Sequence, residues 1–207
     1  MFTIKNFVKI GNKWKEIEYN CCYRNCVNTN YPTDKCINGY GFVNIINDEN
    51  IKYIKHLKWR GSDQYVRVFA ENFFKAPQSC LNYSLYYFEV KCIFERKKSL
   101  VDMNIGFKNC TKYDYPEFKT QPSKIWNDKD IFGCGIVYPP ANMTNEIPYI
   151  FLTQNGKLIE KITLVKKDNF DLYKPYVRLL CCSVETNFGN DLKSKPFNYD
   201  ISKLILK

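Results

Sequence analysis

Apolar and polar positions alternate with a period of two through much of this chain, and the clearest run begins at Tyr86. Tyr86, Phe88, Val90, Cys92 and Phe94 fall on one face of an extended segment; Tyr87, Glu89, Lys91 and Glu95 fall on the other. Successive side chains of a strand point to opposite sides, so this pattern predicts a sheet with one buried face. Val101, Met103, Ile105 and Phe107 repeat it, with Asp102 and Asn104 outside. Upstream, strands are expected over residues 39–46 and 65–70, and between them over a run in which Ile51, Tyr53, Leu57 and Trp59 share a face. That run assigns Trp59 to the core and His56 to a strand. Asn155-Gly156 is the clearest turn, because both residues tolerate the positive φ that a tight type I′ hairpin requires. It should join strands at 149–154 and 157–164. Further strands are expected over 175–181 and 183–188. Residues 1–20 alternate weakly and read as an arm or peripheral strand. Residues 20–38, 71–84, 108–129 and 166–174 carry the Pro, Asn and charged positions of loops. No convincing amphipathic helix longer than two turns appears. The succession predicts an all-β chain, a two-sheet antiparallel β-sandwich in one domain over residues 21–207.

Composition fits this picture. The 207 residues suit one large β domain, and the 16 Tyr and 15 Phe favour strands, where flat side chains pack on a pleated surface. No run of apolar residues is long enough for a transmembrane helix, so membrane insertion is not expected. Lys5, Lys9, Lys13 and Lys15 interrupt the N-terminal stretch, which reads as cytoplasmic rather than exported. The net charge of +10 comes from lysines scattered along the chain, so it speaks to a solvated surface before a polyanionic target. Ten cysteines occur, at positions 21, 22, 26, 36, 80, 92, 110, 134, 181 and 182. Free thiols are the expected state, because a chain of this length builds a core without staples and several cysteines lie in predicted strands. Disulfides and zinc are the alternatives. Cys21, Cys22, Cys26 and Cys36 do not form a CxxC…CxxC pair and His56, the sole histidine, lies far off, so no metal or cofactor is expected.

The strand-like motifs follow one another in a specific order. Tyr87-Phe88-Glu89-Val90, Gly133-Cys134-Gly135, Phe151 to Gly156, Leu172-Tyr173 with Pro175, and Val184 to Gly189 together resemble the SPRY (B30.2) domain, most clearly over residues 65–201. Val68-Phe69-Ala70-Glu71 is similar to the Ran-binding-protein-9-like branch, which includes effectors of plant-parasitic nematodes. The resemblance implies a concanavalin-like jelly roll and a non-catalytic module that presents loops to a protein or short peptide. It places the binding surface at residues 65–72, 108–126, 139–148 and 180–183. Arg67, Phe69, Tyr113, Tyr115, Trp126, Tyr149, Cys181 and Cys182 are then the expected partner-binding residues. Tyr, Trp and Arg supply large contact area with a polar handle. Most of the motif residues read as structural. Gly133, Gly135 and Gly189 permit close backbone approach or positive φ. Glu89, an acid among apolar neighbours, is expected to pair with a cross-strand base or to face water.

Other functions are weaker on this sequence. No GxSxG elbow, P-loop or dinucleotide fingerprint is present, and His56 would have to serve any cysteine–histidine scheme. Nucleic-acid binding has basic residues interleaved with aromatics in 52–60 and 112–126, but no recognisable module. Carbohydrate binding has aromatic side chains for stacking and fold analogy only. The expectation is an intracellular, monomeric protein-interaction domain, an adaptor or effector without catalysis.

Overall fold

A computed structural model describes residues 6–18, 21–24, 26, 35–57, 59, 61–77, 81–110, 126–143, 145–164 and 172–204. The strands are β1 (Asn6–Phe7), β2 (Trp14–Ile17), β3 (Phe42–Ile45), β4 (Asn50–Ile54), β5 (Val66–Ala70), β6 (Phe74–Lys75), β7 (Ser84–Phe94), β8 (Asp102–Asn109), β9 (Ile131–Tyr138), β10 (Tyr149–Gln154), β11 (Lys157–Thr163), β12 (Leu172–Leu180) and β13 (Cys182–Asn187). Two short 3₁₀ turns, Lys98–Leu100 and Ile201–Lys203, are the helical elements among the described residues.

The strands form the predicted sandwich. The larger sheet runs β11-β10-β9-β7-β13-β4-β3, with β1 parallel to the start of β7. In the smaller sheet β12 is central: β8 pairs along one edge, β5 and then β6 along the other, and β2 lies outside β5. Apart from β1, all pairings are antiparallel. The inward faces meet in one core. Tyr86, Phe88, Val90 and Cys92 of β7 are fully buried there with Met103, Ile105 and Phe107 of β8, and Val177 and Leu179 of β12. Phe88 meets Phe107 edge-on, with ring centroids 5.5 Å apart, the arrangement aromatic quadrupoles favour.

The hairpin turn falls where its sequence requires. Asn155 and Gly156 have φ of 49° and 73°, and the turn joins β10 to β11.

Three expectations need correction. The second face of β7 is not solvated: Leu85 and Tyr87 lie in a separate apolar cluster with Val137, Phe151, Tyr199 and Leu204. The segment after β13 folds back over the large sheet and covers it. Tyr87 stacks on Phe151 at 5.5 Å and takes Phe197 edge-on at 4.9 Å. Glu89 neither pairs with a base nor faces water. It accepts hydrogen bonds from the backbone N–H of Asn198 (2.8 Å) and Tyr199 (2.9 Å) and from the Tyr87 hydroxyl (2.9 Å). A carboxylate can accept several bonds at once, so one buried acid fastens the returning segment. The weakly alternating N-terminal stretch, read as an arm or peripheral strand, supplies β2 at the edge of the smaller sheet. Trp14 is buried in the main core and donates from Nε1 to Thr186 Oγ1 at 2.9 Å. Finally, β4 ends at Ile54, so His56, Leu57 and Trp59 belong to a loop, and Trp59 is exposed rather than in the core.

Candidate functional site

The sandwich has two ends. β7 spans both, and its 11 residues correspond to about 33 Å of extended chain. At the end where β7 finishes lie the β4–β5 loop (residues 55–65), the β7–β8 connection, residues 126–130 and the β12–β13 turn at Cys181. At the end where it begins lie residues 139–148 and the β5–β6 and β6–β7 connections.

Among the described residues, the finishing end carries the most exposed large apolar side chain. Trp59 is 93 % exposed, with Leu57, Tyr40, Ile37, Tyr65 and Tyr23 also on the surface. The loop bearing Trp59 is braced from both sides. Leu57 N–H donates to Gly39 O at 3.0 Å and Gly41 N–H to Ser62 O at 3.0 Å. The Tyr53 hydroxyl donates to Gln64 O (2.9 Å) and accepts from Gln64 N–H (3.0 Å). Gly61, at φ 64°, sits so close to Gly39 and Tyr40 that a Cβ there would lie 2.6 Å from the Gly39 carbonyl carbon. Only glycine fits such an approach. These contacts set Gly39, Tyr40 and Gly41 beside Leu57, Gly61 and Ser62.

Asp63 is the hub of this loop. Its Oδ1 accepts from His56 N–H at 2.9 Å; its Oδ2 lies 2.8 Å from His56 Nδ1 and 3.1 Å from Arg96 Nε. Arg96 also donates to the His56 carbonyl at 3.2 Å. His56 Nδ1 thus has both an acceptor, Asp63 Oδ2, and a donor, Arg96 Nη2 at 2.9 Å, within reach, and its role follows the tautomer. Cys181, in the β12–β13 turn at φ 56°, sets its buried thiol beside the same carboxylate. Burial alone would push the Asp63 carboxyl up, but the His56 N–H, the Cys181 thiol, the His56 ring and Arg96 together hold it below its ordinary value. The opposite happens to Cys181: burial, then the bond to Asp63, pushes it up to about 12. The carboxylate thus stands between thiol and imidazole. A nucleophilic cysteine needs the imidazole next to the sulfur and a lowered pKa, and Cys181 has neither.

The residues singled out in the sequence are dispersed. Arg67 and Cys181 lie toward the finishing end and Tyr149 at the other, so the structure does not bring residues 139–148 to the 180–183 turn. Arg67 is partly exposed and pairs with Glu18 at 2.8 Å. Phe69 points out of the small sheet yet is buried, packed on Tyr176 with Lys108 Nζ 4.5 Å above its ring. Trp126, expected on the surface, is 7 % exposed and wedged edge-on between Phe94 (5.1 Å) and Phe132 (5.6 Å). Cys181 and Cys182 are buried as well, the latter donating to Asp102 O at 3.4 Å. Tyr149 is partly buried under Lys161, whose Nζ stands 5.1 Å from its ring centroid. Tyr113 and Tyr115 lie outside the described residues.

What the sequence reading did not foresee is the exposure of Trp59, the pairing of Tyr65 with Arg178 and the convergence of four cysteines. Tyr65 stacks under Arg178, 3.7 Å from its ring centroid to the guanidinium carbon, and donates to Asp102 at 2.9 Å. Cys21, Cys22, Cys26 and Cys36 converge, with their four sulfurs within 4.8 Å of one another, and pack against Phe42 and Ile54. Aromatic residues between basic ones at 55–60 were the available signal for the first. The four cysteines between residues 21 and 36 were noted in the sequence as a zinc alternative and set aside on their spacing, which does not announce their convergence. Among the described residues no helix is long and apolar enough to cross a membrane.

No protein-family model matches the chain, and no curated protein sequence does. Among solved structures it is similar to the crystal structure of a human SPRY domain, at 15 % identity over 72 % of this chain and 97 % of that one, with a TM-score of 0.45. It is also similar to the potassium-bound carbohydrate recognition domain of Emp46p, at 8 % identity over 70 % of this chain and 83 % of that one, with a TM-score of 0.39.

Proposed function

We propose that this chain is a non-catalytic recognition module of adaptor or effector type, and that it engages a protein or peptide through the end of the sandwich where β7 finishes. The observation that carries this reading is Trp59, 93 % exposed on a loop held by backbone hydrogen bonds on both flanks. A large apolar ring displayed by a fixed loop loses little freedom on docking, which is how tryptophan becomes an interface hot spot. Tyr65 under Arg178 offers a second anchor on the same loop. The two-sheet sandwich supports the reading as a rigid scaffold for loops. So does the series of sequence motifs that resembles the SPRY family, including its Ran-binding-protein-9-like branch.

The test is affinity capture on the full chain against Trp59→Ala, after circular dichroism shows that both fold. A specific protein held by the first and lost by the second is the expected result. A specific protein recovered equally by both would overturn the placement of the surface. A second reading has one observation of its own: in sequence Trp59 lies between Lys58 and Arg60, a setting that suits stacking on a single-stranded nucleic acid. Capture of nucleic acid with a sequence preference that survives physiological salt would favour that reading over the first.

A further inference from the structure

We propose that Cys21, Cys22, Cys26 and Cys36 bind a single zinc ion in a closed, structural site. All four sulfurs lie within 4.8 Å of one another, with Cys22 and Cys26 at 3.4 Å and Cys21 and Cys22 at 3.9 Å. Four thiolates around one tetrahedral zinc, each at about 2.3 Å from the ion, stand about 3.8 Å apart. The cluster is therefore sized for one ion. It is too open for a disulfide, whose sulfurs sit at about 2.05 Å. Multi-iron clusters, which place inorganic sulfide between the irons, would hold the thiolates further apart.

A second observation points the same way. Cys26 and Cys36 are buried and Cys21 and Cys22 half-buried, so the four sulfurs gather away from bulk solvent against Phe42 and Ile54. An apolar shell of this kind limits solvent access to a metal site. All four ligands are soft sulfurs, which selects zinc over magnesium or calcium. With four protein ligands no coordination position stays open, so the ion organises the chain and does no chemistry. The spacing, adjacent cysteines followed by one four residues on and another ten further, differs from a CxxC…CxxC pair because the fold, rather than one local turn, closes the site.

The consequence is local. Cys36 O accepts from Gly39 N–H at 2.9 Å, and Gly39 O accepts from Leu57 N–H. The ion would tie residues 21–26 to the turn that supports the Trp59 loop. It would also hold the small apolar cluster around Phe42 against β3, the edge of the large sheet.

The full chain, purified with a reductant and no added metal, is assayed for bound metal by plasma mass spectrometry. The metal-free chain is then titrated with cobalt(II). One zinc per chain, and a cobalt spectrum of a tetrahedral tetrathiolate that zinc bleaches, are expected. Cys26→Ser and Cys36→Ser should each lose stoichiometric zinc, while Cys110→Ser, which alters an exposed thiol elsewhere, keeps it. Because the two cluster variants could fail to fold, the cobalt titration uses the unaltered chain. Folded protein with substoichiometric zinc and no tetrathiolate spectrum overturns the proposal. So does a spectrum of fewer than four sulfurs, or a disulfide within the cluster in the reduced preparation. None of these results depends on which partner the Trp59 surface binds.

Discussion

The three tryptophans separate cleanly by environment. Trp14 and Trp126 are packed in the main core, and Trp59 stands in solvent. Iodide, which does not penetrate a packed core, should therefore quench Trp59 alone. Trp59→Phe should abolish most of the iodide-accessible fluorescence, as a Stern–Volmer plot would show; an unchanged accessible fraction would refute the assignment. Both tryptophan placements read from sequence were reversed by the structure, for the same physical reason. Alternation continues past Ile54 on paper, but the chain leaves the sheet there because Asp63 collects the His56 backbone and ring. Trp126 sits in a polar, proline-containing stretch that reads as loop, yet the gap between Phe94 and Phe132 takes its ring. Glu89 shows a third limit: its partners are backbone N–H groups, which no side-chain pattern announces. Glu89→Ala leaves those two donors and the Tyr87 hydroxyl without their acceptor. A loss of about 3 kcal/mol is expected, measured as a lowered urea midpoint with an unchanged slope.

Among the elements, β7, β8 and the β10–β11 hairpin were legible because local pattern and tertiary environment agree there. The covered second face of β7 was not, since the segment that covers it lies more than a hundred residues downstream. Gly133 shows how tight that face is. A Cβ at Gly133 would overlap Tyr87 Oη and Thr153 Oγ1, which hydrogen-bond to each other at 2.7 Å. Gly133→Ala should cost about 1–3 kcal/mol through this overlap. Gly11→Ala, where nothing lies within 4 Å, should be close to neutral. Paired urea titrations check the contrast. The β4–β5 loop has a pH signature of its own. Asp63 is held below its ordinary value in the fold, so its stabilisation is complete above the unfolded value, about 3.9, and is lost as pH falls through the lower folded one. Asp63→Asn should be destabilising at pH 7 and progressively less so, relative to the parent, as the solution is acidified below pH ~4. Urea midpoints over that range provide the measurement, and a constant difference would contradict it.

At the scale of the whole molecule the sandwich was readable and the grouping of its loops was not. Four candidate segments taken together imply one surface, but the strand register sends residues 139–148 and the 180–183 turn to opposite ends of β7. The sheet order that decides this is set by pairings between distant residues, such as β12 with β8 and β13 with β4, which single-sequence periodicity does not encode. The same long-range closure bears on how the protein is made. β7 leaves the ribosome about 110 residues before Tyr199, which Glu89 holds. At about 5–20 residues per second, the aromatic face of Tyr87 and Leu85 waits roughly 5–20 s for its cover. For that interval the nascent chain displays an apolar strand that nothing shields, so synthesis in a system stripped of chaperones should yield aggregate out of proportion to the stability of the finished fold.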